Sequence, residues 1–171
     1  AGFTLSSVGE QFLAGLLEHA RAMTVFCTPT VNGFGRFRPN ALAPQSVLWG
    51  RDNRGAMLRV IGECGDEATR IENRIGEPAA NPYLYFAAQI HAGLDGIERQ
   101  PRAPPATDSP YGGAGERLPT SLGEALAALD DRPAWPLDRD LLGDRHRARR
   151  VRGLSPRLAD LAVDHQRRPD L

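Results

Sequence analysis

The sequence predicts an α+β fold, in which a segment of antiparallel sheet is packed on one side by helices. Three stretches carry apolar residues at helical spacing, at residues 5–23, 81–97 and 120–131. Two strand-like stretches, residues 56–62 and 68–76, flank the turn-rich segment "ECGDE", which predicts a β-hairpin. With 41% apolar and 25% charged residues, the composition is that of a folded domain.

Composition also limits the function classes. The 21 basic and 21 acidic residues cancel, so no global field steers the protein towards nucleic acid or anionic membranes. No apolar run approaches the roughly 20 residues of a transmembrane helix, and no secretory signal opens the chain. Two cysteines form no disulfide framework and fit a reducing compartment. We therefore predict a cytoplasmic protein. Every basic residue is arginine, so no lysine nucleophile is available.

The first predicted helix starts close to the beginning of the chain. Ser6 or Ser7 can cap it, because a hydroxyl there accepts a hydrogen bond from the first turn. A stripe at helical spacing follows, formed by Val8, Phe12, Leu13, Leu16 and Leu17. Residues 26–44 contain three prolines and two glycines, which predicts a long loop of the kind that is usually functional. Residues 46–50 form a further candidate strand.

The other two predicted helices also begin at recognisable caps. Asn81 caps the second helix and Pro82 takes its first position, where the missing N–H costs nothing. The apolar stripe expected on this helix consists of Leu84, Ala87, Ala88 and His91. In the third helix, Ser121 and Glu124 have the spacing of a capping box.

The second strand of the hairpin places charges on one face. Alternation sends Arg70, Glu72 and Arg74 to one side, and Ile71, Asn73 and Ile75 to the other. A salt-bridge ladder on a wet surface is one interpretation, and it would contribute little to stability. Three more arginines stand nearby in sequence, namely Arg36, Arg54 and Arg59.

Five arginines around one carboxylate are typical of an anion site. Guanidinium groups bind carboxylates and phosphates with two parallel hydrogen bonds. A carboxylate among them is best used to hold a divalent cation that also contacts phosphate. The pattern therefore predicts phosphoryl transfer or acyl-phosphate formation, in which the protein supplies positioning and charge stabilisation. The spacing alone names no reaction.

Four stretches carry a family resemblance: "PTVNGFGRFRPNALAP", "WGRDNRGAMLRV", "RIENRIGEPAANPYLYFAAQIHAGLDGI" and "LPTSLGEALAAL". In this order they resemble the C-terminal part of the catalytic domain of the glutamine synthetase family, in its glutamine-synthetase-like branch. The resemblance covers about residues 5–129. It implies a partial catalytic domain at residues 1–143, whose sheet is a segment of a larger curved sheet. Residues 144–171 form a divergent Arg-rich tail, which we expect to be solvated or disordered.

The resemblance implies an ATP-dependent ligase of glutamine biosynthesis and nitrogen metabolism. Such an enzyme uses ATP and Mg²⁺ (or Mn²⁺) to convert glutamate to a γ-glutamyl phosphate. Ammonia or an amine then displaces the phosphate. The resemblance further implies a homo-oligomer in the full-length form.

Two residues match family positions on the glutamate side. Arg36 corresponds to the arginine that holds the glutamate substrate, and Arg74 to a second arginine near the glutamate and the phosphate. At Leu42 the family usually has an acid that helps to bind and deprotonate ammonium. A leucine there implies a larger or more apolar amine, or lost activity.

Four residues match positions on the nucleotide side. Arg54 corresponds to the catalytic arginine that stabilises the transferring phosphoryl group. Arg59 and Arg70 correspond to arginines that bind the nucleotide phosphates, and Glu72 to a divalent-metal ligand. These positions lie on the hairpin and its neighbouring loop, so the resemblance explains why one carboxylate stands among guanidinium groups.

Besides Leu42, two departures from the family pattern keep alternatives open. The family's other metal ligands and its small N-terminal domain lie upstream of Ala1, so we predict that this chain, as a C-terminal fragment, is inactive alone. A non-catalytic structural or interaction relative is the alternative function. The Arg-rich tail could bind RNA, but no aromatic residue is interleaved with its arginines, which makes nucleic acid an unlikely partner.

Overall fold

The computed structural model describes residues 5–38, 41, 43–63, 65–112 and 115–131. Its elements are α1 (Ser7–Glu18), α2 (Ala20–Cys27), the 3-10 helix Asn32–Arg36, β1 (Ser46–Val47), β2 (Trp49–Arg51), β3 (Leu58–Ile61), β4 (Arg70–Asn73), α3 (Pro82–Arg99), β5 (Glu116–Arg117) and α4 (Leu122–Asp130). The mixture of helices and small sheets confirms the α+β class. Along the described part of the chain, no helix combines the length and the apolar character that crossing a membrane requires. Leu42, the predicted boundary at residue 143 and the Arg-rich tail lie outside the described residues.

The predicted hairpin is present. Strands β3 and β4 pair antiparallel, with Arg59 opposite Glu72. On the other face of β4, Asn73 donates a 2.7 Å hydrogen bond to Gln89 of α3, which links this helix to the sheet, while α3 packs mainly against α1 and α2. Ile75 is fully buried just beyond β4. The charged face of β4 is thereby separated from the core side.

The strand predicted at residues 46–50 divides between two sheets. β1 pairs antiparallel with β5, while β2 pairs with β3 in parallel, with Gly50 opposite Arg59. The three-stranded sheet, in the order β2-β3-β4, is therefore mixed rather than purely antiparallel. In this parallel pair, residues 52–57 bring the chain back to the end of the sheet where β2 begins, so that β3 runs in the same direction as β2.

The first predicted helix is interrupted. Ser6 caps α1 by accepting a 3.1 Å hydrogen bond from the backbone N–H of Gly9. The helix ends at Glu18, and α2 begins after His19, whose φ of −93° and ψ of 3° leave the helical region. The buried stripe comprises Leu13, Leu16 and Leu17, whereas Val8 is 53% exposed and does not join the core.

Helices α1 and α3 cross with their backbones in contact. A Cβ atom added at Gly15 would lie 2.1 Å from the carbonyl oxygen of Ala92, and one added at Gly96 would lie 2.2 Å from that of Gln11. Only glycine allows such an approach. The buried face of α3 therefore consists of small residues, namely Ala88, Ala92, Gly93 and Gly96. Of the predicted apolar stripe, Ala88 is buried, but the prediction for Leu84 is wrong because its side chain is 45% exposed. Other large apolar residues of α3 are exposed as well.

An ion-pair network joins the end of α1 to the end of α3. The buried His19 places Nε2 2.6 Å from Asp95 Oδ2. Arg99 binds both carboxylate oxygens of Glu18, at 3.0 and 2.7 Å, and also donates to Asp95. Partial burial raises the pKa of Asp95, but the hydrogen bonds from Arg99 and His19 outweigh it and hold that pKa below its usual value.

Replacing Asp95 by asparagine is expected to cost about 2 kcal/mol at pH 7, in the range for hydrogen bonds to charged groups. Because the pKa of Asp95 is lower in the folded protein, its contribution is complete above the unfolded pKa of about 3.9 and is lost as pH falls through the folded value. Urea unfolding from pH 7 to pH 2 measures this, with the exposed Glu98→Gln on the same helix as control. A difference between wild type and Asp95→Asn that stays constant with pH would contradict the expectation.

Candidate functional site

The centre of the candidate site is Glu72 on β4, with an arginine on either side. Arg59 lies directly across the strand pair and donates from Nη1 to Glu72 Oε2 at 3.2 Å. The Nε atom of Arg74 is 4.0 Å from Glu72 Oε1. The structure thus brings together three of the six residues singled out in the sequence, on the face that strand alternation predicts.

A second carboxylate, Asp52, also binds Arg59. The Nε atom of Arg59 donates to Asp52 Oδ1 at 3.0 Å, and Nη2 donates to the same oxygen. The hydrogen bonding to Asp52, and to a smaller extent that to Glu72, raises the pKa of Arg59, so the guanidinium stays charged. Asp52 has a φ of 46°, which is uncommon for a residue other than glycine. Asp52 is not among the predicted site residues, because no local sequence signal indicates the left-handed conformation that aims it at Arg59.

Arg54 lies in the turn that follows β2. The backbone N–H of Gly55 donates to Asn53 Oδ1 at 3.0 Å, which closes the turn around Arg54. A Cβ atom at Gly55 would lie 2.5 Å from Pro110, so the turn is packed against the segment that contains Pro110. The side chain of Arg54 is exposed. A braced turn thus presents an exposed guanidinium, which suits an arginine that meets a ligand.

Arg36 ends the 3-10 helix and reaches the chain just beyond β4. Its Nη1 donates to the carbonyl oxygen of Gly76 at 3.0 Å, two residues after Arg74. Thr28 makes a parallel connection, donating from Oγ1 to the carbonyl oxygen of Ile75 at 2.9 Å. The loop that carries Arg36 is therefore attached to the segment directly after β4, the strand that carries Glu72.

Arg70 occupies a different environment at the start of β4. Its register partner is Ile61, and its Nη1 donates to the carbonyl oxygen of Ala68 at 2.9 Å. Together with Leu5, Phe12 and other residues it lines a cavity of about 520 Å³. Arg70 shares the face of Glu72 by alternation, but its guanidinium is engaged at the far end of the strand.

Glu72 fits a divalent cation as one ligand among several. Magnesium is usually bound through one or two carboxylates together with phosphate oxygens and water. In the part of the chain that the structure describes, no cluster of three His, Cys, Asp or Glu residues could hold a metal ion. A cation at Glu72 therefore needs phosphate, water or residues beyond the described ones to complete its coordination.

Comparison with known proteins decides the family. A sequence profile of the glutamine synthetase catalytic domain matches residues 1–146. The chain belongs to the glutamine synthetase family. The predicted resemblance is thus confirmed, while the roles assigned to the six site residues stay predictions.

Individual relatives in the glutamine synthetase family are considerably longer than this chain. A gamma-glutamylanilide synthase of Acinetobacter sp is 50% identical over 129 residues, covering 75% of this chain and 26% of that protein. A glutamine synthetase of Pyrococcus abyssi is 43% identical over 135 residues, covering 74% and 30%. The solved structure of a GmaS/ADP complex matches with a TM-score of 0.67 and 33% identity, covering 80% of this chain and 33% of that one. The match confirms the fold, and the chain spans about a quarter to a third of these relatives.

Cys27 is a buried thiol rather than a reactive one. Its side chain is fully buried, and burial raises the pKa of the thiol. Because the thiolate is the nucleophile, a buried thiol of this kind is inert. Burial likewise raises the pKa of Tyr85 to about 12. Both residues therefore act as packing groups.

Proposed function

We propose that the chain supplies the arginine-lined part of the active site of an ATP-dependent ligase that joins glutamate to ammonia or an amine. The observation that carries this proposal is the arrangement of Arg59 and Arg74 around Glu72, in a chain that belongs to the glutamine synthetase family. Such an arrangement binds anions and one cation side by side, which is what transfer of a phosphoryl group to a carboxylate requires.

Arg36 and Arg74 are the proposed contacts for glutamate. A guanidinium group binds a carboxylate through two parallel hydrogen bonds, which fixes the orientation of the substrate as well as its position. Arg36 lies on a loop attached at Gly76, so both side chains extend from connected backbone. Two arginines on connected backbone can hold the γ-carboxylate of glutamate in place for attack on the phosphate.

Arg59 and Arg70 are the proposed contacts for the nucleotide phosphates, and Glu72 is the proposed ligand of Mg²⁺ or Mn²⁺. ATP supplies the phosphoryl group that converts the γ-carboxylate to γ-glutamyl phosphate, and the cation offsets the phosphate charge. Glu72 accepts from Arg59 through Oε2, so a cation would share that oxygen or take Oε1. Asp52 would keep Arg59 in place in either case, because it accepts from the same guanidinium group.

The identity of the amine is a further part of the proposal. The gamma-glutamylanilide synthase of Acinetobacter sp is 50% identical over the shared region, which supports an amine larger than ammonia. Leu42 in place of the family's acid favours the same choice. Because the chain spans only part of its relatives, we also propose that the isolated chain is inactive. Membership of the glutamine synthetase family supports a second proposal, that a longer form assembles as a homo-oligomer.

The alternative is a relative that keeps the fold without the chemistry. It is motivated by Leu42 and by the lack, among the described residues, of a cluster of three His, Cys, Asp or Glu residues that could hold a metal ion. The two functions differ in one observable property, since a ligase must form a γ-glutamyl product and a non-catalytic relative need not.

The decisive experiment is an assay for γ-glutamyl product, by mass spectrometry, with ATP, Mg²⁺, glutamate and either ammonia or aniline. It is run first on residues 1–171 and then on the same residues joined to the upstream part of the Acinetobacter relative. We expect product only from the joined form. ATP binding without any product in the joined form would favour the non-catalytic alternative, and absence of ATP binding would contradict the proposal.

Within that assay, Glu72→Gln is expected to reduce turnover by about 100-fold or more. A catalytic cation supplies several kcal/mol of charge stabilisation, and each 1.4 kcal/mol corresponds to about tenfold in rate. Raising the Mg²⁺ concentration should restore part of the loss. The matched control is Glu67→Gln, an exposed acid of the same hairpin, which should behave as wild type. Turnover that survives Glu72→Gln would remove Glu72 from the metal site.

A further inference from the structure

Glu77 connects the chain beyond β4 to the loop that carries Arg36. Its Oε1 atom accepts two hydrogen bonds from Thr30, one from the backbone N–H at 3.2 Å and one from Oγ1 at 2.8 Å. Thr30 Oγ1 also accepts a hydrogen bond from the backbone N–H of Gly33 at 3.0 Å. The backbone N–H of Glu77 donates to the carbonyl oxygen of Cys27 at 3.0 Å. One half-buried carboxylate thus organises the start of the 3-10 helix.

The second carboxylate oxygen lies against the backbone of Gly33. A Cβ atom added at Gly33 would be 2.2 Å from Glu77 Oε2, so any other residue must displace the carboxylate. Gly35, in the same 3-10 helix, has nothing within 4 Å of an added Cβ atom. The requirement for glycine is therefore specific to the position that faces Glu77.

Gly76, the residue before Glu77, holds the side chain of Arg36. The Nη1 atom of Arg36 donates to the carbonyl oxygen of Gly76. Residues 76 and 77 therefore hold both ends of the 3-10 helix, which at five residues is too short to be stable by itself. Arginine has five N–H donors, and the bond to Gly76 uses one of them.

We propose that Glu77 is a positioning residue for the glutamate site. By holding Thr30 and packing on Gly33, it sets the 3-10 helix so that Arg36 meets the substrate carboxylate. The inference rests on the proposed function of Arg36. Its physical basis is that a misplacement of about 1 Å at a substrate-binding group can cost about 100-fold in efficiency.

Four variants separate positioning from a general contribution to folding. Glu77→Ala removes the acceptor, whereas Glu77→Gln keeps an oxygen that Thr30 can reach. Gly33→Ala evicts the carboxylate by collision with a flexible side chain, which the fold can absorb. Gly35→Ala is the matched control, because it makes the same chemical change in open space.

The first measurement is amide hydrogen exchange in residues 1–171, compared at Thr30 and Gly33. We expect faster exchange at both amides in Glu77→Ala and Gly33→Ala, and wild-type exchange in Glu77→Gln and Gly35→Ala. In the Glu77→Ala background, Gly33→Ala should add little, since the carboxylate it displaces is already gone. Unchanged exchange in Glu77→Ala would overturn the proposal.

The second measurement is steady-state kinetics in the form of the chain that is active in the assay above. We expect the KM for glutamate to rise about 10- to 100-fold in Glu77→Ala and Gly33→Ala, with the KM for ATP unchanged and Glu77→Gln close to wild type. An equal rise in both KM values, or no rise for glutamate, would overturn the positioning role. The two failures are distinguishable. If the wild-type protein forms no product in any form of the chain, the proposed function itself is overturned, whereas an active wild type with unchanged KM values in Glu77→Ala overturns only the positioning role.

Discussion

Replacing Gly96 by alanine is expected to destabilise the protein by about 3 kcal/mol. The added Cβ atom would lie 2.2 Å from the carbonyl oxygen of Gln11, which belongs to the backbone of α1 and cannot rotate away. Overpacking of this kind forces helices apart and costs typically 1–3 kcal/mol, occasionally more. Urea denaturation measures the change in the free energy of unfolding directly, and a fall in Tm of about 10 °C should accompany it.

The control for this variant is Gly123→Ala in α4. There an added Cβ atom meets only Ser121 Oγ, at 3.9 Å, and the position is exposed. Alanine is the better helix former, so Gly123→Ala is expected to be neutral or slightly stabilising. Gly15→Ala at the same crossing should resemble Gly96→Ala, and the two together should cost less than their sum. A Gly96→Ala protein as stable as wild type would show that α1 and α3 do not approach this closely.

Replacing Arg54 by alanine is expected to lower kcat by at least about 10³, if the proposed function is correct. An arginine that stabilises a transferring phosphoryl group supplies about 10³–10⁵ in rate. Arg54 is exposed in a turn, so its loss should leave the free energy of unfolding unchanged. The measurement is turnover at saturating glutamate and ATP in the active form, together with urea denaturation of the same protein.

Two further variants sharpen the Arg54 experiment. Arg102→Ala removes another exposed loop arginine and should behave as wild type. Arg54→Lys keeps the charge but loses the planar pair of donors, so we expect an intermediate kcat. A kcat for Arg54→Ala within tenfold of wild type would contradict the catalytic assignment of Arg54.

The parts of the fold that the sequence predicts are those determined by local signals. Caps at Ser6, Asn81 and Ser121 each accept hydrogen bonds from the first turn of the following helix, and α3 and α4 begin where predicted. The interruption at His19 was not predictable in this way. It accompanies a contact with Asp95, 76 residues away, which no periodicity over a single helix can reveal.

In the candidate site, too, the residues predicted from the sequence are those placed by local patterns, and the residues missed are those placed by long-range contacts. Strand alternation alone places Glu72 and Arg74 on one face, and pairing within a hairpin adds Arg59. Asp52 and Glu77 were missed because their roles depend on a left-handed turn and on a contact across 47 residues. Gly33, three residues before Arg36, was the available sequence signal for Glu77. The need for glycine at this position becomes clear only in the structure, where the Glu77 carboxylate lies against the Gly33 backbone.

The connection between β2 and β3 leaves no spare length. Parallel neighbours are usually joined by a dozen or more residues, but here residues 52–57 make the return. One residue added or removed would have to be absorbed within this turn or would shift the pairing of β2 with β3, whereas Arg59 would stay opposite Glu72 through the pairing of β3 with β4. The length of this stretch therefore matters as much as its side chains, because it sets where Asp52 and Arg54 lie relative to Arg59.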